Sequence, residues 1–145
     1  MTSEEIAAEW KKDTQIDMTE LGAESIKIPQ LHSKYLNYLM SSQREEKQLR
    51  YDLSIVQKLR TEYYMGILDK KTLDMNGWLP FLKKILRTDL PTYLESDEKI
   101  QPYRDEYDAC VRRTKQIEEI IKAINGRGFL IKNAVDWLRF QNGGF

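Results

Sequence analysis

Ile100, Tyr103, Tyr107, Cys110, Thr114, Ile117, Ile121 and Ile124 alternate spacings of three and four residues without a slip. Such a set lines one stripe of an α-helix, and the stripe is a helix–helix packing seam. The segment that best supplies its partner lies upstream, because nothing between Leu31 and about Leu68 breaks helix. There a 3-4 register runs through positions 35, 38, 42, 45, 49, 52, 56, 59 and 63. Tyr35, Tyr38, Leu49, Val56, Leu59 and Tyr63 fit an apolar seam, whereas Ser42, Glu45 and Asp52 do not. The polar run SSQREEKQ at 41–48 is therefore expected to project beyond the core or to cross a wet gap. The fold class expected is all-α, built on a long antiparallel helical hairpin of about 30–68 and 103–125.

Shorter elements surround the hairpin. Thr2 and Glu5 have capping-box spacing, so a short helix should run from there to Trp10–Lys12. Asp17 and Glu20 repeat that spacing at a second segment, and Pro29 then disfavours helix at Ile28. A fresh helix is expected to begin near Pro29, with the proline in its first turn. Asn76-Gly77 signals a turn. After it Trp78, Leu79, Phe81, Leu82, Ile85 and Leu86 suggest a short middle helix that ends before Pro91. Asn125-Gly126-Arg127-Gly128 is expected to end the second long helix, with glycine at the left-handed cap. A separate C-terminal amphipathic helix would follow, with Leu130, Ile131, Ala134, Val135, Trp137 and Leu138 on one broad face and Lys132, Asp136 and Arg139 opposite. That face docks either on its own domain or on a second subunit. The tail QNGGF is expected to fray.

Composition narrows the function classes. Charged residues make up 32% of the 145 and net charge is zero, so any polyanion-binding surface must be local or be multiplied by assembly. One cysteine and one histidine exclude an internal disulfide and a Cys/His zinc cluster. No apolar run approaches the roughly 20 residues that cross a bilayer. The acidic N-terminus lacks a signal-peptide pattern, so a soluble intracellular protein is expected. There is no phosphate-binding glycine loop. His32, the only possible triad base, reads as an ordinary surface or boundary histidine, and Cys110 as a small buried hydrophobe. The expectation is a protein that is not an enzyme and needs no cofactor or metal.

One stretch does carry binding chemistry. With Leu49 at the centre of the apolar seam, Arg44, Lys47, Tyr51 and Lys58 fall on the opposite stripe, at spacings of three, four and seven. The row is roughly 20 Å long at the helical rise. It could track a phosphate backbone while a tyrosine offers a stacking surface, or it could simply be a solvated helix face. Arg60 points toward the seam side and must snorkel or reach a neighbouring element. Tyr63 reads as a packing residue, and Tyr64 as the more reachable of the two.

Four blocks, in order, resemble the UvsY family of bacteriophage recombination mediators. They are KKDTQIDMTEL (Lys11, Lys12, Asp13, Ile16, Asp17, Thr19, Leu21); SKYLN, with an aromatic at Tyr35; Lys58, Arg60, Tyr63, Tyr64 and Gly66; and RGFLIK (Arg127, Gly128, Phe129, Ile131, Lys132). Residues 67–100 match poorly and inherit no role. The resemblance implies a non-enzymatic protein that binds single-stranded DNA without sequence readout as a cyclic homo-oligomer, a hexamer or heptamer. It implies a RecA-like phage recombinase and a single-strand-binding protein as partners, in the cytoplasm of the infected host and with no membrane. It assigns DNA binding to Lys58 and Arg60, to which the helix pattern adds Lys47, Arg44, Tyr51 and Tyr64. It assigns oligomerisation to the Leu130–Leu138 face, so residues 1–125 would form the DNA-binding domain and 126–145 the assembly element. A helical adaptor that never touches DNA would keep both seams and leave the cations merely solvated.

Overall fold

A computed structural model of the chain describes residues 1–143. The described residues form helices α1 (Ser3–Asp13), α2 (Leu21–Tyr64), α3 (Lys70–Asn76), α4 (Leu90–Glu95) and α5 (Gln101–Gln141), with a 3₁₀ turn at Arg87–Asp89. The all-α expectation holds. No helix among the described residues is long and apolar enough to cross a membrane. Thr2 and Glu5 close the expected capping box, at 3.1 Å and 2.9 Å.

Both long helices run through residues that locally favour a break. α2 starts at Leu21 and passes through Pro29 rather than beginning there. An interior proline costs about 3 kcal/mol through its missing donor and ring clash. Contacts on both sides offset that cost: Ile28 and Leu31 pack on the core, and Glu24 is buried against Arg127 at 3.3 Å. α5 likewise continues through Gly126 and Gly128, neither of which has a positive φ. Each helical glycine costs about 1 kcal/mol relative to alanine. The seam persists across them, with Ile124, Arg127 and Ile131 all buried. The Arg127 guanidinium donates to the carbonyls of Thr14 and Gln15, at 3.0 and 3.4 Å, and so ties the glycine region to the end of α1. The amphipathic C-terminal segment is thus the last part of α5, not a separate helix. Asn142 and Gly143 form a turn after it, while Gly144 and Phe145 of the expected frayed tail lie outside the described residues.

The middle of the chain also departs from expectation. Gly77 does adopt the left-handed conformation (φ 68°) that ends α3. Trp78–Leu86, expected to be helical, has no regular structure; the helical turns come later, and α4 carries Pro91 in its first turn. The apolar side chains there do not share one buried face. Leu79, Leu82 and Leu86 are 82%, 89% and 70% exposed, whereas Trp78, Phe81 and Ile85 are half-buried. Tyr63 donates its hydroxyl to the Leu79 carbonyl at 2.7 Å and holds the segment open.

Two compact units divide the chain: Met1–Arg44 with the residues from Val111 onward, and Glu45–Cys110. In the first, Ile6 of α1, Tyr35 of α2 and Ile117, Ile120 and Ile124 of α5 form the core. Tyr35 is fully buried, meets Trp10 edge-on at 5.5 Å and donates to Asp13 at 2.8 Å. Ser42, expected at a wet gap, is instead buried, and its hydroxyl lies 2.6 Å from that of buried Thr114. The mutual hydrogen bond makes two seam hydroxyls compatible with burial. In the second unit Leu53, Val56 and Ile100 form the core, backed by Leu94 and Tyr107. The buried α2 positions there are 53, 56 and 60: Val56 keeps the register, while 53 and 60 take the places expected for 52 and 59. That shift relieves the misfit of Asp52, which is only half-buried.

The attachment of α1 is pH-dependent by construction. Lys34 lies 2.7 Å from Asp13 and 3.2 Å from Glu9, and Tyr38 donates to Glu9 at 2.7 Å. Burial works to raise the Asp13 carboxyl, but hydrogen bonds from Lys34 and Tyr35 outweigh it and hold Asp13 below the ordinary carboxylate value. The Tyr38 hydrogen bond, followed by Lys34, holds Glu9 low as well. A carboxyl depressed on folding stabilises above its unfolded pKa and ceases to do so as pH falls through its lower folded value. Protection factors for the amides of residues 3–13, that is, exchange rates relative to the intrinsic rate at each pH, are therefore expected to stay high from neutral pH to about 5 and to fall below about pH 4. Protection factors equally high at pH 3 would show that these carboxylates do not hold α1.

Candidate nucleic-acid interface

The outward row of α2 is where the sequence pattern puts it. Lys47, Tyr51 and Lys58 are exposed on the side of the helix opposite buried Leu53, Val56 and Arg60. Tyr51 is 61% exposed, so its ring is available for stacking. Arg44, the last α2 residue of the first unit, is exposed as well. Half-buried Glu62 follows Lys58 at helical spacing, and its carboxylate limits the cationic row at that end.

Lys58 and Arg60 have opposite environments. Arg60 is only 7% exposed and donates through Nε to Oδ2 of Asp97 at 2.8 Å. Its guanidinium carbon lies 4.2 Å from the centre of the Tyr63 ring, 4.5 Å from Trp78 and 5.2 Å from Tyr64. A planar, weakly hydrated cation suits such an aromatic box better than an ammonium does. Asp97 is used twice. Oδ2 takes Arg60, while Oδ1 accepts the backbone N–H groups of Lys99 and Ile100, at 2.7 and 3.4 Å, as α5 begins. Burial alone would raise the Asp97 carboxyl, but hydrogen bonds from Arg60, Tyr64 and the Lys99 N–H bring it below its ordinary value. The pair therefore stays ionised although buried.

Tyr64, expected to be the reachable tyrosine, is half-buried in a ring cluster with Tyr63, Phe81 and Tyr93, at centroid distances of 5.5, 5.0 and 5.4 Å. Its hydroxyl is pushed above the ordinary tyrosine value, first by burial and then by its bond to Asp97. Tyr63 packs as expected and meets Trp78 edge-on at 5.6 Å. The structure thus brings Arg60, Tyr63 and Tyr64 together in a buried cluster and keeps Lys47, Tyr51 and Lys58 apart from it on the outer face. Asp97 and Trp78 are the partners that sequence reasoning missed. Asp97 carried one usable signal, an aspartate just before a helix start.

The family model described as "Recombination, repair and ssDNA binding protein UvsY" matches residues 9–144. The chain belongs to the UvsY family. It is 30% identical over 144 residues to the recombination protein uvsY of Enterobacteria phage T4, covering 99% of each. Two crystal structures of the bacteriophage T4 recombination mediator protein UvsY superpose on it with TM-scores of 0.86. They share 25% and 26% identity with it and cover 98% and 97% of this chain, and 98% and 99% of theirs. The family match includes the 67–100 region in which the sequence blocks fade.

The C-terminal face of this UvsY-family chain is divided. Ile131 is buried, and Ala134, Val135 and Leu138 are half-buried. Leu130 and Trp137 are 58% and 57% exposed, and the Trp137 ring stacks on exposed Phe140 at 5.7 Å. Some of these six side chains therefore pack on their own chain, while the large rings remain open.

Proposed function

We propose that this chain binds single-stranded DNA without sequence readout as a cyclic homo-oligomer, and that it promotes loading of a RecA-like recombinase onto DNA covered by single-strand-binding protein. It would do so without catalysis or a cofactor, in the cytoplasm of the infected host. The observation that carries this reading is the exposed Lys47–Tyr51–Lys58 row in a member of a family described as binding single-stranded DNA. Lysines there neutralise phosphates and Tyr51 stacks on bases, with Arg44 adding an exposed cation of its own. Arg60 and Tyr64 take part from beneath: they lock the end of α2 so that Lys58 is presented in a fixed geometry. Residues 126–145 form the assembly element, through Leu130, Ile131, Ala134, Val135, Trp137 and Leu138. A net-neutral chain with only a few cations in its row binds DNA weakly alone, and a closed ring repeats the row at high effective concentration.

A fluorescence-anisotropy titration with labelled oligo(dT) at two salt concentrations tests the row. Lys47→Ala/Lys58→Ala is expected to weaken binding and to flatten the salt dependence by about 0.7 of a log–log slope unit per lost phosphate contact. Equal affinity and slope for both chains would remove these lysines from the interface. Absence of binding by the unmodified chain at low salt would favour a helical adaptor. Competition by duplex DNA and by RNA identifies the preferred polymer.

A further inference from the structure

The second unit has a groove of about 560 Å³ where the irregular Trp78–Leu86 segment passes the end of α2. Phe81 and Ile85 in its lining are half-buried, whereas Leu82 and Leu86 stand 89% and 70% exposed. Lys83, Lys84 and Arg87 line it too, and among the described residues no carboxylate does. Lys83 leans on Tyr93, 5.7 Å from the ring centre, and feels Asp89 nearby; Lys84 and Arg87 are exposed. The backbone is also open. Among the described residues no backbone carbonyl accepts a hydrogen bond from the N–H of Leu79 or of any residue from Phe81 to Leu86. Nothing in the Lys47–Tyr51–Lys58 row requires this combination of open leucines, clustered cations and unpaired main chain.

We propose that this groove docks an acidic segment of a partner protein that carries apolar side chains. The segment's carboxylates pair with Lys84 and Arg87, its apolar groups cover Leu82 and Leu86, and its main chain can bond to the open N–H groups. Three observations favour this occupant over others. Stacked bases would need free ring faces, yet Tyr64, Phe81 and Tyr93 meet one another at 5.0 to 6.1 Å, and the exposed apolar groups beside the cations are the aliphatic Leu82 and Leu86. A symmetric contact with a second copy would set the three cations against their own like, and a head-to-tail contact would be read as a fall in native mass in the test below. A flat anionic membrane would leave a concave groove unfilled. The proposal does not depend on the DNA-binding reading.

The test is selection from a displayed library of random 12-residue peptides on the full chain, in parallel with a Lys84→Glu/Arg87→Glu chain. Both substituted side chains are exposed, and circular dichroism checks that the fold is kept. The unmodified chain is expected to enrich peptides that combine several carboxylates with apolar residues, and the charge-reversed chain is expected not to. By anisotropy, the best such peptide should bind at least about tenfold more weakly to Leu82→Ser/Leu86→Ser and to the charge-reversed chain. Four results would overturn the proposal: no enrichment, enrichment without an acidic bias, the same peptides from both chains, or displacement of the peptide by oligo(dT) or by anionic vesicles. A drop in native mass of the Leu82→Ser/Leu86→Ser chain would reassign the groove to an interface between copies.

Discussion

Asp97→Ala is expected to destabilise the second unit by about 3–5 kcal/mol, the usual cost of stranding one member of a buried ion pair. The Asp97 side chain is fully buried and that of Arg60 is 9% exposed, so the guanidinium left behind would gain little from water. Removing Asp97 also takes away the side-chain oxygen that accepts from two backbone N–H groups at the start of α5, a capping loss of roughly 1 kcal/mol. Arg60→Lys should recover only part of what Arg60→Ala loses, because an ammonium cannot lie flat against Tyr63 and Trp78 while bonding Asp97. Urea melts followed by amide exchange in residues 45–110 measure these differences. The comparison with Lys58 decides how the Lys-x-Arg pair works. Lys58→Ala is expected to weaken DNA binding with an unchanged melt, whereas Arg60→Ala weakens both together. If Arg60→Ala keeps the parent midpoint and still loses DNA, Arg60 touches the strand directly. An Asp97→Ala chain with the parent midpoint would dismiss the buried pair as a structural tie.

The second large effect is expected at the other end of α5. Trp137→Glu should yield smaller species by light scattering and weaken oligo(dT) binding at least about a hundredfold, the scale lost when linked sites separate. Trp137 is more than half exposed, so the fold of a single chain should survive the substitution. Leu130→Glu provides an independent variant at a similarly exposed position. Full-size assemblies from both variants would exclude this face as the interface. Small species that bind DNA as tightly as the parent would separate assembly from affinity.

The α5 seam from Tyr107 to Ile124 was legible because apolar periodicity is local, each residue reporting its own face without knowledge of the partner; Tyr103, expected on the same seam, is instead 43% exposed. The outward face of Lys47, Tyr51 and Lys58 was legible for the same reason. Ser42 and Arg60 were not, since a polar residue on a seam has no local sign of the group that will satisfy it. Thr114 lies 72 residues from Ser42, and Asp97 lies 37 from Arg60. The Trp78–Leu86 segment misled for a related reason. Its apolar residues suggested one buried helical face, but half of them remain exposed beside the groove.

By itself the sequence determined an all-helical chain, the capped start of α1, the turn at Gly77, the seam of α5 and the exposed cationic row. All of these depend on residues within a turn or two of one another. Only the tertiary structure decided that α2 runs through Pro29, that α5 runs through Gly126 and Gly128, and that Arg60 belongs beneath the surface. In each case an unfavourable local term of about 1–3 kcal/mol, or a buried charge, is offset by contacts from residues distant in the chain. Local preference is cheap to override once packing fixes the partner.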